Sequence, residues 1–513
     1  MIRVFHSMIL FCLCVVVFLA NLVVVPTACQ AGEVVADLTL QGAERLALQR
    51  SLKLRSAQLA TAATATLITR GYSVYDPQLR LSWQEGTFRD ITNFQFFLGE
   101  TGAEGRQVDL SLSQKIFSGA DLTLAWTNQR QNQFSDPPPE LNPEYRSEVS
   151  LSLVQPLLKD FGREVTEQDQ IFASIDRDMS VQQLRAQASA VVAEVRNAWY
   201  DVQRYRDQLA TRDISLSLAE KILAENRARL DAGILAPIEV LEAEVGLQVR
   251  RRERLDSERA LHDAIDRLAL ALNTHEELTL EAGKLPLPDI EPDENRGLHT
   301  AQLKRPELLE LQQAITKQHV QRDLDKNQLL PRLDLGASYS HKGIGEGFNE
   351  AVDQLPEDDI RSWQVGLTLS YPLGNRAAES DLLRTNLEMR RITLERQLLL
   401  DQIRQEIRAA IRQIEVSRAK VGVSRDESGL AEEKLRILLK RKEVGLATTR
   451  EVLEGEEDLA RAKTDESSAL ADFNIAATAY LHATGELLDQ AKIRFVGVDA
   501  GMPEKAAFVL DAQ

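Results

Sequence analysis

Apolar residues Leu184, Val191, Val195, Ala198, Val202 and Leu209 are separated by gaps of 7, 4, 3, 4 and 7. That spacing is the narrow seam of a coiled coil, not the broad apolar stripe of a helix in a compact domain. It lies in a stretch from Arg163 to Ala232 that holds no Gly or Pro for 70 residues. At 1.5 Å per residue a helix of that length reaches about 100 Å. A second such stretch runs from Arg376 to Val444, interrupted only by Gly422 and Gly429. Long helices are therefore predicted over 163–232 and 376–444. Gly233 and Gly445 follow them and suit a left-handed helix end. Return helices are predicted over 236–273 and 448–484, opened by Pro237 and Thr448, residue types favoured at a helix start.

Elsewhere the period is two. Leu79/Leu81/Trp83, Val108/Leu110/Leu112, Leu122/Leu124/Trp126, Val149/Leu151/Leu153 and Val365/Leu367/Leu369/Tyr371 each alternate with polar residues. An apolar outer face with a polar inner one is the pattern of a membrane barrel, although a soluble antiparallel sheet alternates in the same way. Of the 27 aromatic residues, 11 lie between Tyr72 and Tyr145, as an interfacial girdle requires. Few strands cannot close a barrel within one chain, and open edges are not tolerated in lipid, so a barrel here must be shared among chains.

The chain is written twice. Gly233-Ile234-Leu235 before Glu239-Val240-Leu241-Glu242 is repeated as Gly445-Leu446-Ala447 before Glu451-Val452-Leu453-Glu454, at a constant offset of 212. Pro77-Gln78-Leu79-Arg80-Leu81 returns as Pro331-Arg332-Leu333-Asp334-Leu335 at an offset of 254. Each copy reads helix, strands, long helix, tight turn, return helix. The first repeat is expected over 38–283 with a helix over about 40–70 and strands within 77–156. The second is expected over 300–490 with a helix over about 300–329 and strands within 331–372. A linker rich in proline and acids fills 284–299, and a tail follows over 491–513. From Pro77 to Pro156 is 79 residues, whereas Pro331 to Pro372 is only 41. The surplus holds an extra alternating hairpin around Phe117-Ser118-Gly119-Ala120 and the loop Pro137-Pro138-Pro139. Crossings come in even numbers, so the first copy has two or four. The extra hairpin either extends the external surface, the favoured reading, or widens the barrel.

Residues 1–31 read as a secretory signal peptide: Arg3, an apolar run from Met8 to Val25, then small residues to Ala31. The run is long enough for a retained anchor, but the small-residue exit favours cleavage near Ala31. Lipidation at Cys29 is the less favoured alternative, because Pro26-Thr27-Ala28 matches a lipoprotein box poorly. Cys12, Cys14 and Cys29 are the only cysteines, so the mature chain has no disulfide and no Cys-ligated metal. With Lys+Arg 61 against Asp+Glu 78 and a net charge of −17, nucleic acid is an unsuitable partner. The triplet Arg250-Arg251-Arg252 reads as a solvated helix face.

Several blocks resemble the TolC-type outer-membrane efflux protein family. They are Lys304-Arg305-Pro306-Glu307-Leu308, Leu330-Pro331-Arg332-Leu333-Asp334-Leu335, Trp363 through Tyr371-Pro372-Leu373, both helix turns, and Ala479-Tyr480-Leu481-His482-Ala483-Thr484-Gly485. The resemblance covers roughly 38–490. It implies a mainly α protein with a membrane β-barrel: a long coiled-coil α-helical barrel below a trimeric shared β-barrel of twelve strands, built from two tandem repeats. It implies a non-enzymatic outer-membrane channel subunit of a tripartite efflux or type I secretion system. The partners implied are two further copies, a periplasmic adaptor, an inner-membrane pump and outer-membrane lipid. Carried over residue by residue, Ala232, Gly233, Ile234, Leu235 and Val444, Gly445, Leu446, Ala447 match the tip turns where adaptors dock. Glu451 and Glu454, with Glu239 and Glu242 as first-copy equivalents, fall where the family places constricting acidic rings. Carboxylates at i and i+3 share one helix face, though ordinary exposed helix acids look the same. Ala447 stands where a well-known relative has an arginine, which puts that gating contact in doubt here.

The chain contains no HExxH, GxSxG, Walker loop or CxxC. Gly343-Ile344-Gly345-Glu346-Gly347 imitates a dinucleotide loop, but no apolar helix opens after it, and an external loop is the expectation. No cofactor is implied. The rival from another class is a secreted periplasmic coiled-coil scaffold without a pore, which leaves the alternating aromatic strands unexplained. The substrate is left open among drugs, metal ions and polypeptides.

Overall fold

A computed structural model describes residues 38–495 and 508–510, apart from 95–96, 135–138, 277, 279, 282, 284 and 357–359. Residues 1–31, expected to be a signal peptide, with Cys29, and Pro137, Pro138 and most of the stretch 491–513 lie outside the described residues.

The first repeat begins with α1 (Leu40–Arg50) and α2 (Leu52–Gly71). The sequence suggests one helix here; the break falls at Ser51, whose hydroxyl accepts the Leu54 N–H and restarts the helix. The strands β1 (Gln78–Phe94), β2 (Phe97–Lys115), β3 (Asp121–Phe134) and β4 (Glu144–Pro156) follow. After a single helical turn at 163–166, α3 runs over Gln168–Asp231, and α4 (Pro237–Leu272) returns. The second repeat has α5 (Glu294–Lys304), α6 (Pro306–Gln328), β5 (Arg332–Gly345), β6 (Arg361–Ser370), α7 (Arg376–Glu443) and α8 (Thr449–Thr484). Helix α5 starts inside the stretch expected as a linker, because the Asp293 carboxylate caps the Arg296 N–H. It ends at Arg305, since the residue before Pro306 is pushed out of helical backbone. Residues 493–495 and 508–510 pair antiparallel as two short strands, β7 and β8.

The four longest helices lie side by side. Helix α3 packs against both α4 and α8, and α8 packs against α7, giving the order α4-α3-α8-α7. Nearer the sheet the order is α2-α3-α6-α7. The seam read from the sequence is the core: Leu184, Val191, Val195 and Val202 are buried. Each such side chain contributes about 1.5–3 kcal/mol. Toward the far turns a second core gathers Ile222, Leu223, Leu247, Leu435 and Val452.

All six long strands form one antiparallel sheet in sequence order, β1-β2-β3-β4-β5-β6. The first repeat therefore contributes four strands to this sheet, and the extra hairpin stands within it as β2 and β3. The β2–β3 turn lies at the helical end of the sheet. The Gly162 N–H donates to the Ser118 carbonyl at 3.1 Å, and Ser118 Oγ lies 2.6 Å from Gln155 Oε1 at the foot of β4. Gly119 has φ +87°, and a Cβ there would meet the Asp160 carbonyl oxygen at 2.6 Å. The turn is built to sit against the start of the long helices.

Candidate functional site

Two regions carry chemistry: the faces of the sheet and the far ends of the long helices. In the sheet, directly opposed residues share a face. The row Leu79↔Leu112↔Leu124↔Leu151↔Tyr339↔Trp363 crosses all six strands in register, and the row Leu81↔Leu110↔Trp126↔Val149 is apolar across the first four before it reaches His341 and Arg361. Among the described residues much of this face is uncovered, with Leu79 72 % exposed, Leu367 66 % and Leu369 68 %. A short helix over Phe348–Asp353 packs on it beside β5 and sets the Phe348 ring edge-on to Trp126, centroids 6.3 Å apart. The opposite face carries Ser82, Asp109, Ser111, Thr123, Ser150 and Ser338, with Ser82 donating to the Asp109 carboxylate at 3.1 Å. The outer strands β1 and β6 each leave one edge open, and they run antiparallel to each other.

The turn between α3 and α4 and the turn between α7 and α8 are the same structure twice. Gly233 and Gly445 have φ +72° and +75°. Ile234 N–H donates to the Arg229 carbonyl at 2.9 Å, and Leu446 N–H to the Arg441 carbonyl at 2.8 Å. Both turns satisfy the last carbonyls of their helices in the Schellman manner. Ala232, Gly233, Ile234, Val444, Gly445 and Leu446 are exposed, while Leu235 and Ala447 are half-buried.

The four candidate acids divide into two kinds. Glu451 closes a capping box: its carboxylate accepts the Thr448 N–H at 2.7 Å while Thr448 Oγ1 accepts the Glu451 N–H. The Thr448 backbone and hydroxyl hold the Glu451 carboxyl below its usual range. Glu239 reaches across to the other hairpin and accepts the Thr449 N–H at 3.0 Å. Asn226 completes that bridge, donating to the Glu239 carbonyl and to Thr449 Oγ1. Glu242 and Glu454 instead line an open groove between α4 and α8 with Leu241, Arg450 and Arg461. Glu454 is exposed there and pairs with Arg450 at 3.2 Å.

Sequence reasoning missed the buried polar centre just behind this groove. Arg250 is buried, not solvated; its Nε donates to Glu456 at 2.8 Å and Nη2 to the Leu453 carbonyl at 2.9 Å. Ser215 donates to the other Glu456 oxygen, and Arg212 pairs with Glu253 and Glu457 at 3.2 and 3.4 Å. Burial, with the neighbouring Glu457 charge, pushes the Glu253 carboxyl up. The only cue was the spacing of Arg250 four residues beyond the small Gly246, which admits Leu453 of α8. Lys442 was missed too: it is buried near the second tip turn, and its Nζ has no hydrogen-bond partner among the described residues. Burial holds its amine below the usual range.

Among the described residues no helix is long and apolar enough to cross a membrane, and no group of three or more His, Cys, Asp or Glu is placed to hold a metal.

The architecture is a sheet with one largely uncovered apolar face, carried on paired helices of about 100 Å, and it defines the class by fold: an antiparallel sheet with a long helical extension. Residues 297–486 match the model of the family described as outer membrane efflux protein. The outer membrane efflux protein BepC of Brucella suis biovar 1 (strain 1330) is 24% identical over 297 residues. That match covers 56% of this chain and 62% of BepC, so it spans less than two thirds of that relative. Among solved structures, the outer-membrane channel OprN aligns with TM-score 0.63 at 15% identity, covering 88% of this chain and 90% of OprN. The Campylobacter jejuni CmeC outer membrane channel aligns with TM-score 0.61 at 13% identity, covering 90% and 91%. The open state of the Neisseria gonorrhoeae MtrE channel gives 0.61 at 16%, covering 88% and 90%. The fold is that of the TolC-like outer-membrane channels, and the resemblance to the outer-membrane efflux protein family is borne out.

Proposed function

We propose that this chain is the outer-membrane channel subunit of a tripartite efflux or type I secretion system, three copies of which form one duct. The observation that carries the reading is that every tier of the molecule has two unpartnered edges of matching character. In the sheet they are β1 and β6. Beside the sheet they are α2, with exposed Leu52, Leu59 and Leu67, and α7, with exposed Leu383, Leu387, Leu394 and Leu398. In the long bundle they are α4, with Ile238, Leu241, Val245 and Leu255, and the lower part of α7. There Val416, Val423, Leu430, Ile437 and Val444 recur every seventh residue, and all are exposed. A strict heptad stripe demands a partner helix, and α4 runs antiparallel to α7, as a neighbouring copy would present it.

Closing the edges places the apolar sheet face in the outer membrane and the helices in the periplasm. The leader supplies the export route. Adaptor docking is assigned to the tip turns 232–235 and 444–447, whose exposed Ile234 and Leu446 suit an apolar helical hairpin. The constricting rings are assigned to Glu242 and Glu454 in the groove, with Glu239 and Glu451 behind them holding the caps. An adaptor and an inner-membrane pump are the partners. Cysteines placed at Leu235 and Leu446, crosslinked in cells and followed by mass spectrometry, test this. Capture of an adaptor and its pump supports the assignment; self-crosslinks alone, from protein in the outer membrane, overturn the docking.

A further inference from the structure

We infer that the β2–β3 hairpin is part of the pore wall, so that the membrane barrel holds six strands from each chain and opens a wide, hydrated exit. The inference rests on the trimeric duct proposed above. Three observations carry it. First, β2 and β3 stand between β1 and β4 in a continuous ladder: 14 residue pairs join β2 to β3, and the same sheet continues to β6. Second, the hairpin takes part in the apolar belt at the same height as its neighbours, through Leu110 and Leu112 of β2 and Leu122 and Leu124 of β3. Its other face carries Ser111, Ser113 and Thr123 in line with Ser150 and Ser338. A hairpin standing in external water has no use for a one-sided apolar face that matches its neighbours row for row. Third, the turn at 116–120 is anchored at the helical end of the sheet by Gly162 and Gln155, so both strands traverse the belt.

Six is an even number, so β6 of one copy and β1 of the next meet antiparallel, as closure requires. Three copies of six strands give eighteen, against twelve if the first repeat had only the two strands that the second has. Barrel diameter grows roughly in proportion to strand number, so the exit is about 1.5 times as wide. Barrels of about 16–18 strands enclose an open aqueous channel. The exit is then a polar aperture that does not select among small solutes, and selection falls to the tip.

The test uses the full chain in lipid nanodiscs, with single cysteines introduced on the two faces and the unsubstituted chain as background. A charged, water-soluble maleimide is the probe, read by intact mass. Expected is rapid labelling at Ser111→Cys and Thr123→Cys, with labelling at Leu112→Cys and Leu124→Cys at least about tenfold slower because lipid covers them. Controls on the part of the sheet outside the hairpin are Ser150→Cys and Leu151→Cys. If Leu112→Cys and Leu124→Cys label as fast as Ser111→Cys while Leu151→Cys stays protected, the hairpin is external and the inference is overturned, with the duct intact. If Leu151→Cys also labels freely, the membrane reading itself fails. A three-fold map with twelve wall strands would likewise overturn the inference alone.

Discussion

Arg250 Nε donates to the Glu456 carboxylate at 2.8 Å, and both side chains are buried where α3, α4 and α8 meet. Removing one partner of a buried, hydrogen-bonded pair leaves the other charge without compensation, at a cost of about 3–5 kcal/mol. Arg250→Ala and Glu456→Ala are each expected to lower the melting temperature steeply. Arg250→Met with Glu456→Leu should recover most of that loss, because the desolvation cost disappears with the charges. Thermal melting followed by circular dichroism checks this; a double variant no better than either single one contradicts it.

His482 gives a pH dependence of defined sign. Burial, then the Arg305 charge, holds its imidazole below the ordinary value of 6.5, with Glu307 and Glu406 opposing only in part. The folded chain therefore favours the neutral ring. Stability from this group is complete above pH 6.5 and declines as the pH falls below that value, where the unfolded chain takes up the proton first. The melting temperature should fall between pH 7.5 and 5.5, and His482→Gln should flatten that slope. An unchanged slope in the variant would place the proton uptake elsewhere.

Leu430 sits in the middle of the exposed heptad stripe of α7. Leu430→Asp puts a charge into a helix–helix seam but disturbs nothing inside the single chain. The trimer is expected to dissociate, by light scattering in detergent, while helix content by circular dichroism is kept. Loss of helix content together with assembly would mean that the stripe serves the fold of one chain instead.

Gly445 occupies left-handed backbone at φ +75°. A side chain there costs about 1–2 kcal/mol, so Gly445→Ala should loosen the second tip turn. Faster amide exchange at 442–448 with no change in the sheet is the expected result. Uniform exchange across the chain would contradict a local effect.

Lys442 buries an amine with no hydrogen-bond partner among the described residues. Lys442→Met keeps the stem and removes the charge, and is expected to leave the melting temperature equal or higher. A marked drop would show that the ammonium is paired in the assembled protein.

The long-range plan was legible because it is written in local periods. Heptads at Leu184 to Leu209 and alternation at Leu79 to Trp83 and Val365 to Leu369 each encode one exposed or buried face, and the repeat tied them into order. What escaped depended on three-dimensional partners. The Arg250 triplet reads the same whether it faces water or a third helix. The spacing from Pro77 to Pro156 gives a length, but not the fact that the turn at Gly119 returns to the helical end, so the sequence alone left the place of the extra hairpin open between two alternatives. Likewise Glu239 and Glu451 share the spacing of Glu242 and Glu454, and only the structure shows that the first two carboxylates are engaged at Thr449 and Thr448.

Cryo-electron microscopy of the full chain extracted from outer membranes tests the central claim most directly. The account predicts a three-fold ring in which β6 pairs with the next copy's β1 and α7 with the next copy's α4, around one lumen running from the barrel to the tip. Single copies, or a ring whose helices pack into a solid bundle with no lumen, would contradict it.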